Sequence, residues 1–398
     1  MDKFSRVALG VALAVVLLLG GFAGGFVTAR HNTVESVVNV NAAEGTVGDK
    51  VEEVMSLLDK EALKQPTETS ATAGAVQGLL DSTGDKYGMY FDAQHYKYFN
   101  EQSAGAFGGI GVTIGEKDGQ AYVVSVMPNT PAAKAGLKAN DIFVTVGGVT
   151  RDKWTSDEIV KRVRGDAGTK VTVTMRRGKD LKTFTVTRAK IELPNIESRI
   201  LESGVGYIRL FSFNQRTEQD LRSAIEDLTK KGAKGFVLDV RDNPGGLLDQ
   251  AVQAASLFVP SGVIVRVDER NKPEQTYRAT GRVATKAPLV LLVNENSASA
   301  SEILAGAMQD YARAPIVGVK SFGKGSVQTV QELADGSAVK FTIAHYLTPK
   351  SRVIDGKGVT PEDVVPMKLD LQYNPDDQKT LATDTQLAKA IEVLKAKL

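Results

Sequence analysis

From Gly206 onward, short apolar runs typical of buried strands alternate with longer segments of helical periodicity, and this alternation constrains the fold more than any other feature. Strands are predicted at residues 206–210, 235–240, 289–293, 316–319 and 327–331, and helices at 218–231, 247–257 and 300–312. Such alternation is typical of α/β domains. A further helix is predicted at 384–398, because Leu387, Ile391 and Leu394 share one helical face.

The composition excludes several classes of function. The chain has 398 residues, 42% of them apolar, which is enough for two or three domains of about 100 to 200 residues. The net charge is +2 with no long run of like charge, so we predict no nucleic-acid partner. The absence of cysteine excludes disulfides and thiol catalysis. Only three histidines are present, which argues against a histidine-rich metal centre, and we predict neither a metal nor a cofactor.

The N-terminal segment sets the expected compartment. An uncharged apolar run at 7–27 follows Lys3 and Arg6 and is long enough to cross a bilayer of roughly 30 Å. It predicts a transmembrane signal-anchor at 1–30, which would make this a single-pass protein of the cell membrane with its bulk extracytoplasmic, either extracellular or periplasmic. A cleaved signal peptide is the alternative, because small residues lie near the end of the run, although no clear A-x-A site follows.

A helical region is predicted at 31–104, and its first part, at 32–45, is a short polar tether. Within it, apolar residues recur at helical spacing and indicate an amphipathic helix at 51–62. The apolar face of this helix needs a partner. A second copy in a homodimer and the helix's own domain are both compatible with the pattern.

Glycines cluster at the start of the segment 105–190. A dinucleotide-binding loop does not fit, because these glycines precede a strand and Ile114 stands where the third glycine of that motif should be. The order and spacing of three sequence blocks resemble a PDZ domain: Gly109-Ile110-Gly111-Val112, the block from Thr130 to Leu137, and the block from Asp141 to Gly148. The resemblance implies that the backbone N–H groups of Gly109 to Val112 bind the terminal carboxylate of a peptide. Alternatively, the glycines only allow a tight turn.

Ser299 lies between a predicted buried strand and a predicted helix. Together with Glu302 it matches the capping-box pattern, so it can serve simply as a helix cap. A serine at a positive helix end can also be a nucleophile, with the N–H of Ala300 stabilising an oxyanion. Both interpretations are compatible with the local sequence.

Lys324 is the candidate base for such a serine. His31 and His95 lie near the N-terminus, and His345 falls in an apolar strand where a structural role fits better. A lysine can act as a base if burial disfavours its ammonium form. Residues 318–324 also match the start of a phosphate-binding loop, but Gly325 stands where that motif requires serine or threonine. A solvated loop lysine is the remaining alternative.

Two further elements complete the candidate site. Gln328 lies four positions after Lys324 and can face the same side, where it could orient the amine. Upstream, the sequence at 239–246 predicts a strand that enters a glycine turn and a helix. An N–H of Gly245 or Gly246 in this turn is a candidate oxyanion donor. An ordinary turn is the alternative.

These motifs together resemble the carboxyl-terminal processing peptidases, also called tail-specific proteases, over nearly the whole chain. The motifs that carry the resemblance are the N-terminal anchor, residues 85–91, the PDZ domain, residues 241–246, 297–303 and 323–325, Gln328, and residues 358–361. The resemblance implies that Ser299 is the nucleophile, Lys324 the base and Gln328 the residue that positions the lysine. It assigns the oxyanion N–H groups to Gly246 and Ala300, and Arg164 is a weaker candidate for coupling the PDZ domain to the active site.

The resemblance also implies the architecture and the substrates. The expected fold is a crotonase-like (ClpP/crotonase-type) α/β core with an inserted PDZ domain, divided into a PDZ domain at 105–190, a protease core at 191–370 and a C-terminal helical segment at 371–398 packing on that core. The expected reaction is cleavage, through an acyl-enzyme, of exported proteins with apolar C-termini. Two rival hypotheses are a tethered PDZ scaffold with an inactive α/β domain, and an acyl-group hydrolase on the same core.

Overall fold

The computed structural model describes residues 45–193, 195–201, 204–366 and 383–398. Its helices are α1 (Val47–Glu61), α2 (Glu68–Asp81), α3 (Ala93–Ala104), α4 (Pro131–Ala135), α5 (Ser156–Val163), α6 (Thr217–Lys230), α7 (Leu248–Ser256), α8 (Ala300–Asp310) and α9 (Thr385–Lys395). The first ten strands are β1 (Met89–Phe91), β2 (Ala106–Gly109), β3 (Val112–Lys117), β4 (Gln120–Val126), β5 (Ile142–Val146), β6 (Val149–Thr150), β7 (Lys170–Arg177), β8 (Asp180–Thr187), β9 (Ala189–Glu192) and β10 (Ile196–Ile200). The remaining strands are β11 (Gly206–Leu210), β12 (Phe236–Asp239), β13 (Val263–Glu269), β14 (Gln275–Arg278), β15 (Leu289–Val293), β16 (Ile316–Gly318), β17 (Ser326–Glu332), β18 (Ala338–Leu347) and β19 (Asp363–Val364).

The chain divides into two units between Lys86 and Tyr87. The described part of the first unit consists of α1 and α2, which confirms the helix predicted at 51–62. The side chain of Thr46 caps α1 by accepting a hydrogen bond from the Asp49 N–H. Apolar side chains of α1 are exposed, among them Val54 at 52%. The predicted anchor at 1–30 lies outside the described residues, and within them no helix combines the length and apolarity that a membrane span requires.

The central sheet of the second unit consists, in the described ranges, of six strands in the order β10-β11-β12-β15-β16-β19. Strand β10 runs antiparallel to β11, and the other neighbours pair in parallel. The inner strands are apolar along their length because helices cover both faces. The predicted strands at 206–210, 235–240, 289–293 and 316–319 are confirmed as β11, β12, β15 and β16.

Different helices pack on the two faces of this sheet. Alternate residues of β15 point to opposite sides, since Leu291 lies in the core with α6, α7 and α8, and Leu292 lies in a second core with α9. The predicted apolar face of α9 is confirmed, because Leu387 and Leu394 are buried against the sheet. The sheet is therefore the middle layer of an α/β arrangement.

A second sheet lies in the same unit and has the order β1-β18-β13-β14, with β17 paired to β18. Strand β17 confirms the prediction at 327–331. The β17–β18 hairpin is antiparallel from Ser326 paired with His345 to Glu332 paired with Ala338. This hairpin begins just after Lys324 and therefore fixes the position of that residue.

The segment between β3 and β8 has its own core. In the described residues its sheet has the order β3-β4-β5-β7-β8, with β6 paired to β5, and helices α4 and α5 pack on it around Trp154. Strands β2 and β9 pair with each other just outside this sheet, from Ala106 with Glu192 to Gly109 with Ala189. The chain thus enters and leaves the segment side by side.

Candidate active site

A cavity of about 580 Å³ in the second unit collects the candidate residues from several elements. It is lined by the start of α8, the loop before β17, strands β17 and β18, the turn after β12, and α3. Residues on its wall include Ser299, Lys324, Gln328, Gly245 and Gly246. Segments far apart in sequence therefore meet at one cavity.

Ser299 is the N-cap residue of α8 and has an unusual backbone conformation, with φ 55° and ψ −114°. Positive φ is costly for a residue with a Cβ atom and is found where surrounding contacts hold it. The preceding loop is fixed by Ser297, whose hydroxyl donates to the Val240 carbonyl oxygen at 2.7 Å and accepts from the Asn294 N–H at 2.9 Å. The half-buried serine side chain consequently faces the cavity from the end of a helix.

Glu302 connects the Ser299 segment to the Lys324 loop. Its side chain is fully buried. One carboxylate oxygen accepts from the backbone N–H of Ser299 at 2.8 Å and of Lys324 at 2.9 Å. The other accepts from the Ser321 hydroxyl at 2.6 Å and the Gly323 N–H at 2.7 Å. A single carboxylate thus holds the two segments against each other.

Lys324 is half-buried at the cavity wall. Its Nζ lies 4.3 Å from the centroid of the Tyr87 ring, a geometry in which the ring attracts an ammonium group. The hydroxyl of Tyr346 donates to the backbone carbonyl oxygen of Lys324. The backbone N–H of Tyr346 donates to the neighbouring carbonyl of Gly325 at 2.8 Å. The lysine loop is therefore anchored by β18 as well as by Glu302.

Gln328 lies on β17 at the same cavity. Its side-chain amide donates to the Ser326 hydroxyl at 2.8 Å and to the Thr342 hydroxyl at 3.3 Å. Both partners belong to the β17–β18 hairpin. The side chain is thus oriented by its own sheet.

The glycine turn after β12 lies directly against Ser299. A Cβ atom on Gly245 would be 2.8 Å from the Cβ of Ser299 and 2.9 Å from the N of Ala300. A Cβ atom on Gly246, whose φ is 144°, would be 2.1 Å from the carbonyl oxygen of Phe213. Only glycine fits at either position. The turn and the first N–H groups of α8 therefore border one part of the cavity.

Asn243 shapes this turn through three hydrogen bonds. Its amide donates to the Leu210 carbonyl oxygen at 2.9 Å, and its side-chain oxygen accepts from the Gly245 N–H at 2.9 Å. Its backbone carbonyl accepts from the Ala298 N–H at 3.1 Å. The turn, β11 and the Ser299 loop are joined by this one residue.

A buried charge network supports the end of β12. Arg241, 3% exposed, donates to the carboxylates of Asp239 at 2.7 Å and Asp384 at 2.8 Å. Burial opposes the charge of Arg241, but the two carboxylates together raise its pKa well above the ordinary value. Burial likewise opposes ionisation of Asp239, and Arg241 nevertheless lowers the pKa of that carboxyl. The network ties the start of α9 to the strand that leads into the glycine turn.

A smaller cavity of about 140 Å³ lies between β3 and α5. Five residues selected from the sequence line it: Gly109, Ile110, Gly111, Val112 and Arg164. Gly111 has φ 82°, and a Cβ atom there would be 2.4 Å from the side chain of Thr130. This glycine is therefore required by the backbone conformation and by the close packing of the loop.

Arg164 ends α5 and reaches α3. Its guanidinium donates to Glu101 at 2.9 Å and lies 4.5 Å from the ring centroids of Tyr98 and Phe107. Helix α3 also contributes Phe99 to the larger cavity. A continuous set of contacts therefore joins the two cavities through α3.

Sequence reasoning missed several of these contributors. Helix α3 lies in the helical region predicted at 31–104 but was not predicted as an individual helix, although its N-cap Asp92 and C-cap Gly105 would have signalled it. Glu302 was identified only as half of a capping box, and Tyr87 and Tyr346 were not singled out. His345, expected to be structural, is on the exposed side of β18. Within the described ranges, no cluster of three acidic or histidine side chains could hold a metal ion.

Comparison with known families gives two matches. A model for peptidase family S41 matches residues 204–365, and a model for the PDZ domain matches residues 108–187. The Probable CtpA-like serine protease of Staphylococcus saprophyticus is 36% identical over 390 residues, covering 94% of this chain and 79% of that protein. The Carboxy-terminal processing protease CtpA of Bacillus subtilis is 35% identical over 354 residues, covering 87% of this chain and 76% of that protein. Among solved structures, the photosystem II D1 C-terminal processing protease is 31% identical, with a TM-score of 0.47, over 80% of this chain and 86% of that one.

Proposed function

The chain belongs to the carboxy-terminal processing proteases of peptidase family S41 and contains a PDZ domain, and from this we propose that it cleaves through a Ser299–Lys324 dyad. The observation that carries the proposal is the Glu302 carboxylate, which accepts hydrogen bonds from the backbone of both residues. A helix cap alone would not require a lysine loop at the same carboxylate. Gln328 borders the same cavity and completes the site as the residue that positions the lysine.

The proposed reaction follows nucleophilic catalysis. The neutral amine of Lys324 takes the proton of Ser299 as the serine oxygen attacks a peptide carbonyl. The Lys324 ammonium then gives this proton to the nitrogen of the scissile bond, so that the C-terminal fragment leaves as an amine and the acyl-enzyme forms. Water, deprotonated by the neutral Lys324 amine, then hydrolyses the ester and the proton returns to Ser299. Partial burial of Lys324 favours the neutral amine, whereas the Tyr87 ring attracts the ammonium form. A substrate that excludes water from the cavity would shift this balance toward the neutral base.

The N–H groups of Gly246 and Ala300 are the proposed oxyanion donors. Ala300 is the first residue of α8, where backbone N–H groups have no acceptor within the helix. The close approach of Gly245 to Ser299 and Ala300 puts the glycine turn beside that helix end. Two donors that converge at one point are what a developing oxyanion requires.

The PDZ domain is the proposed reader of the substrate's free C-terminus. The glycine loop from Gly109 to Val112 lines a cavity of about 140 Å³ that can accept an apolar terminal side chain. Strand β3, which follows the loop, would pair with the peptide. Arg164 borders this cavity and contacts α3, so it is the proposed coupling residue between tail binding and the active site.

We further propose a PDZ domain at 105–190, a protease core of the crotonase-like type at 191–370 and a C-terminal helical segment at 371–398. The matched ranges 108–187 and 204–365 support these limits.

The apolar run at 7–27 supports a single membrane anchor, with the catalytic part outside the cytoplasm and exported proteins as substrates. The exposed apolar side chains of α1 favour a homodimer.

The experiment compares a peptide with a free, apolar C-terminus and its amidated twin. Ser299→Ala and Lys324→Ala should each abolish cleavage, while Ser299→Ala still binds the free tail. Amidation should weaken binding and slow cleavage by the wild type. An inactive PDZ scaffold predicts no cleavage by any form, and retained turnover by Ser299→Ala would refute the dyad.

A further inference from the structure

Asn243 is a fully buried residue beside the active-site cavity to which the mechanism above gives no role. It lies in the turn after β12, two residues before Gly245. Its side-chain NH₂ donates to the carbonyl oxygen of Leu210 at 2.9 Å, and its side-chain oxygen accepts from the Gly245 N–H at 2.9 Å. One side chain therefore binds the last residue of β11, in the central sheet, and the glycine turn at the same time.

The hydrogen bonds of the glycine turn leave one of its N–H groups for an oxyanion. The Gly245 N–H is bound by Asn243. Phe213 pairs with the turn, because its N–H donates to the Gly245 carbonyl at 2.9 Å and its carbonyl accepts from the Leu247 N–H at 2.7 Å. Gly246 lies between these two bonds, and within the described residues its N–H has no acceptor. Asn243 thus occupies the N–H of Gly245 and leaves that of Gly246.

The backbone of Asn243 holds the segment that carries the nucleophile. Its carbonyl oxygen accepts from the Ala298 N–H at 3.1 Å and from the Ser301 hydroxyl at 2.9 Å. These donors lie one residue before and two residues after Ser299, and Ser301 is itself fully buried. The segment is therefore tied to the same carbonyl on both sides of Ser299.

These contacts make the separation between the nucleophile and the glycine turn depend on one residue. The side chain of Asn243 fixes the turn, and its carbonyl fixes the Ser299 segment. Donors stabilise a developing oxyanion best when they are fixed in advance, because no reorganisation is then needed during the reaction. A buried residue that binds both sides of the site supplies this fixation.

We propose that Asn243 is a positioning residue for the oxyanion, which holds the Gly246 N–H and the Ser299 segment in a fixed relation. This inference rests on the proposed dyad and oxyanion donors. As the Ser299 oxygen bonds to the substrate carbonyl carbon, the π electrons of that carbonyl move to its oxygen and the serine proton goes to the Lys324 amine. The negative oxygen accepts from the N–H groups of Gly246 and Ala300. Asn243 touches neither the substrate nor the transferred proton.

The test is Asn243→Ala, with kcat, KM and the inhibition constant of a peptide boronic acid measured together. Boron takes a lone pair of the Ser299 oxygen while Lys324 takes the proton, and the tetrahedral anion that results resembles the reacting state. We expect kcat to fall about 10- to 100-fold and the inhibition constant to rise by a similar factor. The KM for a tail-bearing peptide should change little, because Asn243 does not belong to the tail-binding loop.

Asn243→Asp is the conservative variant. One carboxyl oxygen can still accept from the Gly245 N–H, whereas the NH₂ donor to Leu210 is lost. This variant should recover part of the kcat and part of the boronic acid affinity that Asn243→Ala loses. Equal losses in the two variants would show that the bond to Gly245 does not position the oxyanion donor, and would overturn the proposal.

Ser256→Ala is the matched control for lost stability. Ser256 is also fully buried, and its hydroxyl donates to the Val252 carbonyl at 2.6 Å and accepts from the Thr280 N–H at 3.1 Å. It is the last residue of α7 and is not among the described residues that line the cavity. The variant should melt at a lower temperature but bind the boronic acid as the wild type does. An equal rise of the inhibition constant in Ser256→Ala and Asn243→Ala would identify a general structural effect and overturn the proposal.

Ser299→Ala and Gly246→Ala separate a failure of this inference from a failure of the proposed function. If Ser299→Ala binds the boronic acid as tightly as the wild type, the nucleophile is wrong and the inference falls with it. If Gly246→Ala binds the boronic acid weakly while Asn243→Ala matches the wild type, the oxyanion donor stands and the role of Asn243 is refuted. Weak binding by both Gly246→Ala and Asn243→Ala, with wild-type binding by Ser256→Ala, is the result that supports the proposal.

Discussion

Replacing Glu302 by glutamine should damage stability and catalysis together. The carboxylate accepts four hydrogen bonds in a fully buried position, from the N–H groups of Ser299, Gly323 and Lys324 and the hydroxyl of Ser321. Glutamine has one acceptor oxygen, and its NH₂ group would face at least one of these N–H donors. Bonds to a charged group contribute about 1.5 to 3 kcal/mol each, and an unsatisfied buried donor costs about 1 to 3 kcal/mol.

We therefore expect Glu302→Gln to lower the free energy of unfolding by about 3 to 5 kcal/mol. The activity of the remaining folded protein should fall on the order of 100-fold, because both residues of the proposed dyad lose a shared anchor. Differential scanning calorimetry and peptide cleavage measure the two effects. Glu295→Gln is the control, since Glu295 is an exposed glutamate in the same loop. Wild-type melting and activity in Glu302→Gln would refute the idea that this carboxylate holds the site together.

Three further predictions concern other parts of the molecule. Gly246→Ala should reduce kcat about 100-fold or more, because a Cβ atom would collide with a backbone carbonyl and displace the proposed oxyanion N–H. Gly178→Ala, at a positive φ of 64° with open space around it, should cost stability only. Glu101→Gln should alter the dependence of the cleavage rate on a free substrate C-terminus, because Arg164 loses its carboxylate partner; equal responses of mutant and wild type to tail amidation would contradict this coupling. The pKa of Asp239 is lower in the folded protein than its unfolded value near 3.8. The ionised carboxylate therefore stabilises the fold fully above that pH, and this stabilisation is lost as the pH falls through the lower native pKa. Asp239→Asn should consequently make the free energy of unfolding, measured by circular dichroism, less dependent on pH in acid.

The sequence predicted the parts of the fold that local pattern determines. The inner strands and their helices were found because apolar runs and helical periodicity are strong there, and α9 was found from one apolar face. Weakly patterned elements were missed. Strand β1 has three residues and β10 is an edge strand with mixed polarity, so neither has a distinct period.

The candidate site likewise contains residues that local pattern identified and contacts that it did not. Ser299 stood out because S-x-x-E is a local cap signal, and Ser299 is the N-cap residue of α8, where its backbone N–H donates to the Glu302 carboxylate. The same Glu302 side chain also accepts a hydrogen bond from the Lys324 backbone. This contact depends on how α8 packs against a loop more than twenty residues later in the chain. The contacts of Tyr87 and Tyr346 with the Lys324 loop likewise depend on the pairing of β18 with β1 and β17. Contacts of this kind have no signature in local spacing.

The central claim is that Ser299 forms an acyl-enzyme, and mass spectrometry of the trapped intermediate tests it most directly. The protein is mixed with an activated peptide ester, quenched in acid and digested with trypsin, which releases residues 287–313 as one peptide that also contains Ser297 and Ser301. We predict one added acyl mass on this peptide, located by fragmentation at Ser299 and absent from Ser299→Ala. An acyl group on another residue, or rapid turnover with no acylated peptide at any quench time, would contradict the account.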